Sequence, residues 1–200
     1  MRILGLTGSI GTGKSHVSSV LASLGAWIID GDQITRELQL PGGRALPALR
    51  EAFGDGIFLE DGALNRKALG AIVFSDAKER AKLDALMQPL ILAVIRESLH
   101  EAERSGCPVA VLDMPLLFEA GLDGMCDSIW CTYLPPETQI GRIMQRDGIS
   151  REAAMARIAS QLSPEEKKRR SQIVIDTCGT LDETAKLIPA LYAQELDARC

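Results

Sequence analysis

Gly8-Ser9-Ile10-Gly11-Thr12-Gly13-Lys14-Ser15 fits the pattern G-x-x-x-x-G-K-[ST] at every fixed position. Before it stands a short apolar run, Ile3 to Leu6. After it, Val17, Val20, Leu21 and Leu24 recur at helical spacing until Gly25 breaks the stripe. Strand, glycine loop and helix is the setting in which this motif has a physical meaning. The glycines let the backbone curl until several N–H groups converge on one point, and the helix N-terminus adds its partial positive charge. Such a nest holds the phosphates of a nucleotide. From the chain's own frequencies of Gly, Lys and Ser plus Thr, a chance match is expected only ~0.006 times in a sequence of this length. Gly8, Gly11, Thr12, Gly13, Lys14 and Ser15 are therefore the candidate nucleotide-binding residues. Lys14 would reach the β and γ phosphates, and Ser15 would ligate the magnesium ion they carry. His16 follows directly and is counted with the binding stretch, its own side chain being expected to cap or pack.

Four more apolar runs lie downstream: Trp27 to Ile29, Val109 to Leu112, Ile129 to Tyr133 and Ile173 to Ile175. They are too short and too continuously apolar for half-exposed antiparallel strands and read as buried parallel ones. Helical periods alternate with them. Leu83, Leu86, Met87, Leu90, Ile91, Val94, Ile95 and Leu99 form one stripe, in which Pro89 must start a new helix or kink a continuous one. Leu181 to Leu196 forms another. This order predicts an α/β protein of the P-loop NTPase kind, a doubly wound five-stranded parallel sheet with right-handed crossovers.

The nucleotide-binding core is expected in 1–30, 107–135 and 171–200. The crossover of residues 31–106 is far longer than one helix requires, and it reads as a helical acceptor lobe. In 136–170, Pro136 opens a helix, Gly148 interrupts it, and Ser150 with Glu152 restarts it before Pro164. This basic helical pair is expected to act as a lid, with the run Lys167 to Arg170 on the surface.

Composition sets outer limits. Of 200 residues, 46% are hydrophobic, 24% are charged and 27 are Pro or Gly, which excludes disordered, fibrous and collagenous chains. A net charge of -5 argues against a generic nucleic-acid surface. That average hides a division, because residues 142–170 carry eight Arg/Lys against four Asp/Glu, a local +4 that leaves -9 elsewhere. A basic segment in an acidic protein suggests a local anionic ligand. The five cysteines, at 107, 126, 131, 178 and 200, form no C-x-x-C pair and read as small buried hydrophobes in a reducing compartment. With two histidines and no Cys/His cluster there is no zinc ligand set, so any metal should be held by oxygen. No run of 18 apolar residues occurs, and glycines and Lys14 come too early for a signal peptide; a cytoplasmic protein without membrane contact is expected. No obligate protein partner is evident.

A nucleotide site does not say what the nucleotide is for. A GTPase would carry Asn-Lys-x-Asp, whereas Asn65, the only asparagine, precedes Arg66. An ATPase motor would be larger or show an oligomeric sensor region. A kinase needs an acceptor pocket and a way to exclude water, and the insertion and the lid are candidates for these. Asp30-Gly31-Asp32 follows the second strand, at the sheet edge where ligands of open α/β folds collect. Asp32 is the candidate base for an acceptor hydroxyl, the competing reading being that both aspartates cap the next helix. Asp113 ends the strand Val109 to Leu112 and is a candidate for holding magnesium through water. Arg142, Arg146 and Arg157 would neutralise the transferring phosphoryl group when the lid closes; the competing reading is a solvated helix face.

These residues together resemble the dephospho-CoA kinase family, nearly end to end. The carriers are Gly5-Leu6-Thr7-Gly8-Ser9-Ile10-Gly11-Thr12-Gly13-Lys14-Ser15, Asp30-Gly31-Asp32 with Arg36, Pro41-Gly42-Gly43, Leu64-Asn65-Arg66 leading to Ile72-Val73-Phe74, Leu112-Asp113-Met114-Pro115-Leu116-Leu117-Phe118-Glu119, and Arg142 to Arg146 with Arg157-Ile158 and Gln161. The resemblance implies transfer of the ATP γ-phosphate to the 3′-hydroxyl of dephospho-CoA, with ATP and Mg2+ required. It implies acceptor contacts at Asp30, Asp32, Arg66, Gln88, Pro115, Leu116 and Phe118. The family's Asp-Ala-Asp is here Asp30-Gly31-Asp32, its His-Pro is Gln88-Pro89, its late Ala-Asp is Ser171-Gln172, and an Asn is replaced by Thr177.

Overall fold

The structure, a computed structural model, describes residues 1–198; the cysteine at position 200 lies outside the described residues. Five strands form: β1 (Arg2–Gly8), β2 (Trp27–Asp30), β3 (Val109–Asp113), β4 (Ser128–Tyr133) and β5 (Ile173–Asp176). They make one parallel sheet in the order β2-β3-β1-β4-β5. Each strand is one to three residues longer than the apolar run that predicted it. At the carboxyl edge pairing continues through Gly8 with Thr132, Asp30 with Asp113 and Tyr133 with Asp176. Polar residues therefore gather along one rim. One strand departs from the expected burial: β5 is at the sheet edge, and its Val174 is 38% exposed.

The helices, in chain order, are α1 (Lys14–Ser23), α2 (Gly31–Leu38), α3 (Leu46–Phe53), α4 (Arg66–Ser75), α5 (Ala77–Arg104), α6 (Pro136–Asp147), α7 (Arg151–Ala159), α8 (Pro164–Arg170) and α9 (Leu181–Asp197). α5 runs through Pro89, so the continuous-helix alternative is the observed one. The chain divides into two compact units: Met1–Asp30 with the described chain from Glu101 onward, and Gly31–His100.

In the first unit, Leu4 and Leu6 of the central strand, Val17 and Leu21 of α1, Trp130 of β4, and Ile188 and Tyr192 of α9 form one buried cluster. Each fully buried aliphatic side chain contributes about 2 kcal/mol relative to exposure. α9 starts at a reciprocal cap, in which Thr180 Oγ1 accepts from the Glu183 N–H and Glu183 Oε2 accepts from the Thr180 N–H. Near its end it is pinned by Glu195, which accepts from Trp130 Nε1 at 2.9 Å and from Arg2 Nε at 3.0 Å.

Two expectations need correction here. The segment 136–170 holds three helices rather than a pair, because Ser163 caps Glu166 N–H and Pro164 supplies the first turn of α8. Within that helix Lys167 is not on the surface but fully buried. Its ammonium donates to the Pro115 carbonyl and pairs with Glu119 at 3.0 Å. Thr7 Oγ1 donates to the same carbonyl at 3.1 Å, so α8, β1 and the turn after β3 share one polar junction. Lys167→Met should cost about 3 kcal/mol in chemical denaturation, toward the low end for a broken buried pair, because Glu119 keeps 26% of its side chain exposed. Lys167→Met with Glu119→Leu should recover most of that loss.

The cysteines divide. Cys131 is buried, Cys107 and Cys126 are partly so, and Cys178 is exposed, which corrects its reading as a buried hydrophobe. Burial pushes the Cys126 thiol up to about 12 and the Cys131 thiol to about 11, so neither supplies a thiolate near neutrality. No helix among the described residues is long and apolar enough to cross a membrane.

Candidate functional site

The glycine loop begins where β1 ends and finishes as α1 begins. At Gly8 a Cβ would lie 2.0 Å from Thr132 Oγ1, so only glycine lets the strand leave the sheet against β4. Gly11 and Gly13 have φ of 81° and 80°, left-handed conformations that carry the turn. The rest of the loop is tied back to the sheet. Thr12 Oγ1 donates to the Ser9 carbonyl at 2.7 Å and shares a 2.7 Å hydrogen bond with Thr132 Oγ1. Thr177, just past β5, donates its hydroxyl to the Thr12 carbonyl at 2.9 Å. With the Ser9 and Thr12 carbonyls and the Thr12 hydroxyl engaged behind, the N–H groups of Gly11, Gly13, Lys14 and Ser15 have no acceptor among the described residues. That is the arrangement a phosphate needs.

Lys14, the first residue of α1, pairs with Asp113 at the tip of β3. Both partners are nearly out of solvent, at 13% and 5% side-chain exposure. Asp30 lies in register with Asp113 across the β2–β3 ladder. Asp32 is inside the first turn of α2, so of the two aspartates only Asp30 is placed to precede the helix as a cap would.

No three His, Cys, Asp or Glu side chains among the described residues gather closely enough to cage a metal. Magnesium is ordinarily held by one or two protein oxygens, with phosphate oxygens and water filling the rest of an octahedron. The Ser15 hydroxyl, exposed at the start of α1, and the Asp113 carboxylate are oxygens of that kind, and they fit such an ion.

The arginines of 136–170 are held in place. Arg142 Nη2 donates to the Thr177 carbonyl at 2.7 Å, from the residue whose hydroxyl braces the glycine loop. Arg146 makes two hydrogen bonds to Asp147, and Arg157 of α7 reaches the same carboxylate. Arg146 first, then Arg157, hold the Asp147 carboxyl below its ordinary range.

The remaining candidates have varied settings. His16 Nε2 is 2.8 Å from the Leu181 carbonyl, so its side chain links α1 to the start of α9. Pro115 has its carbonyl taken up by Thr7 and Lys167, and Leu116 is 43% exposed. Phe118 is buried, with the Arg170 guanidinium 4.2 Å from its ring centre. In the second unit, Arg66 donates to the Arg36 carbonyl at 3.2 Å, Asn65 caps α4, and Gln88 is exposed on α5.

Sequence reasoning missed the braces. Thr132 and Thr177 carry no periodic signal, and their roles exist only once β1, β4 and β5 are adjacent. Gln139 did leave a trace, as a polar residue on the apolar stripe with Ile140 and Ile143.

A family model described as dephospho-CoA kinase matches residues 2–183. The dephospho-CoA kinase of Geobacter sulfurreducens is 47% identical over 194 residues, covering 97% of this chain and 98% of that one. Among solved structures, the dephospho-CoA kinase from Campylobacter jejuni superposes with a TM-score of 0.75 at 27% identity, covering 99% and 98% of the two chains. A shikimate kinase from Aquifex aeolicus shares the fold, with a TM-score of 0.51 at 17% identity over 98% of each chain.

Proposed function

The chain belongs to the dephospho-CoA kinase family, and on that premise we propose that it transfers the γ-phosphate of ATP to the 3′-hydroxyl of dephospho-CoA, releasing ADP. The observation that carries the reading is the glycine loop with four N–H groups free for phosphate beside the Lys14–Asp113 pair. Family membership over nearly the whole chain supplies the acceptor.

In this reading the N–H groups of Gly11, Gly13, Lys14 and Ser15 hold the β and γ phosphates, with Gly8 and Thr12 shaping the loop. Lys14 exchanges its contact with Asp113 for phosphate oxygens and neutralises charge as the γ-phosphoryl group departs. Ser15 and Asp113 would hold magnesium, which when bound offsets phosphate charge. Asp32 accepts the proton of the acceptor hydroxyl as its oxygen bonds to phosphorus and the bond from phosphorus to the ADP oxygen breaks. Arg142 and Arg146, with Arg157, supply further positive charge to the equatorial oxygens.

Residues 31–106 serve as the acceptor lobe, with Arg66 and Gln88 as its contacts for dephospho-CoA; in the nucleotide-binding unit the residues assigned to the acceptor are Asp30, Pro115, Leu116 and Phe118. Since Phe118 is buried beneath Arg170, its share is to shape the wall. Residues 136–170 serve as the lid. The partners are thus small molecules, ATP and dephospho-CoA, in the cytoplasm.

The test is ADP release with ATP and magnesium, comparing dephospho-CoA with AMP, nucleosides and shikimate as acceptors. Turnover is expected with dephospho-CoA alone. Turnover with AMP or shikimate and none with dephospho-CoA would transfer the chain to another acceptor class.

A further inference from the structure

We infer that Gln139 and Gln161 are positioning residues of the nucleotide site, gripping the Ile10 peptide groups from both sides and so aiming the loop's N–H donors at phosphate. Gln139 Nε2 donates to the Ile10 carbonyl at 2.7 Å, and the Ile10 N–H donates to Gln161 Oε1 at 3.2 Å. The orientation of each amide is forced, because a carbonyl only accepts and an N–H only donates.

Peptide planarity carries these contacts into the nest. The Ile10 carbonyl and the Gly11 N–H belong to one trans plane and point in opposite directions. Holding that carbonyl toward Gln139 therefore turns the Gly11 N–H away from α6, to the side where the loop has no protein acceptor. The preceding plane contains the Ile10 N–H and the Ser9 carbonyl. Gln161 holds its N–H end, while the Thr12 N–H and hydroxyl hold its carbonyl end. Two consecutive planes are thus fixed by side chains from 136–170. α6 also leaves no slack, since a Cβ on Gly11 would lie 2.8 Å from Ile143 Cγ1.

Gln139 is costly where it sits. It is fully buried, and its Oε1 has no hydrogen-bond partner. A half-satisfied amide in the interior lowers stability, and an apolar residue would pack there more cheaply. Its value must lie in what its NH2 group does for the loop.

The inference rests on the loop being the ATP site, and the test separates the two. ADP and adenosine affinities are measured for the wild-type chain, Gln139→Leu and Gln161→Leu, alongside melting temperatures and the KM for dephospho-CoA. Each variant should bind ADP about tenfold more weakly. Adenosine, which has no phosphate to meet the N–H groups, should bind within about twofold of wild type, as should the KM for dephospho-CoA. Gln139→Leu should melt within about 3 °C of wild type or above it. Unchanged ADP affinity in both variants, or ADP and adenosine affinities falling together, would overturn the clamp alone. A wild-type chain that binds no ADP would overturn the nucleotide site and the clamp with it.

Discussion

Lys14→Met should lower kcat about a thousandfold, the upper range for removing one group that stabilises charge on a transferring phosphoryl. The structure adds a second consequence. Asp113 is 3% exposed and its carboxylate is paired with Lys14. Removing the lysine strands a buried charge, which costs about 3–5 kcal/mol. Rate and stability should therefore fall together in the single variant and separate in the double. Lys14→Met with Asp113→Asn should regain most of the stability in chemical denaturation, because both members of the pair are then neutral, while kcat stays low. A double variant that regained the rate as well would mean that Lys14 acts only by compensating Asp113, and its assigned role on the phosphates would be lost.

Asp32→Asn should lower kcat at least about a hundredfold, as for loss of a general base, with ADP affinity changed less than about twofold. Asparagine keeps the size and hydrogen-bonding reach of aspartate but cannot take up the acceptor's proton at neutral pH. The competing role is a favourable charge in the first turn of α2. That role is worth at most about 1 kcal/mol of stability and would leave the rate alone. Steady-state kinetics with an ADP binding measurement distinguish the two, and an unaltered kcat would remove Asp32 from the chemistry.

The strands were legible because a strand buried on both faces must be apolar nearly throughout, and Val109–Asp113 and Ser128–Tyr133 are. Their ends were less so. Gly8, Asp30, Asp113 and Asp176 look like loop residues, yet pairing with a neighbouring strand draws them into the ladder. The segment 136–170 shows the opposite failure. Pro164 followed by Glu165, Glu166 and four basic residues reads as a solvated run, because local pattern prices a lysine by its charge. Lys167 is buried nonetheless, since folding brings Glu119 and the Pro115 carbonyl to its ammonium. A cation's burial depends on partners distant in the chain, and no window of neighbouring residues contains them.

The sequence by itself determined the glycine loop of the candidate site and its place between a strand and a helix. Gly11 and Gly13 can adopt φ values that other residues resist, Lys14 and Ser15 follow at the start of a helix, and these choices are local. The family likeness was equally open to reading, since it resides in residue identities along the chain. The tertiary structure alone decided which groups hold that loop in its working shape. Thr132, Thr177, Gln139 and Gln161 reach it from β4, from just past β5 and from residues 136–170. The physical reason is that a hydrogen bond requires atoms to meet within about 3 Å, and for residues more than a hundred positions apart only the folded sheet and its helices bring that about.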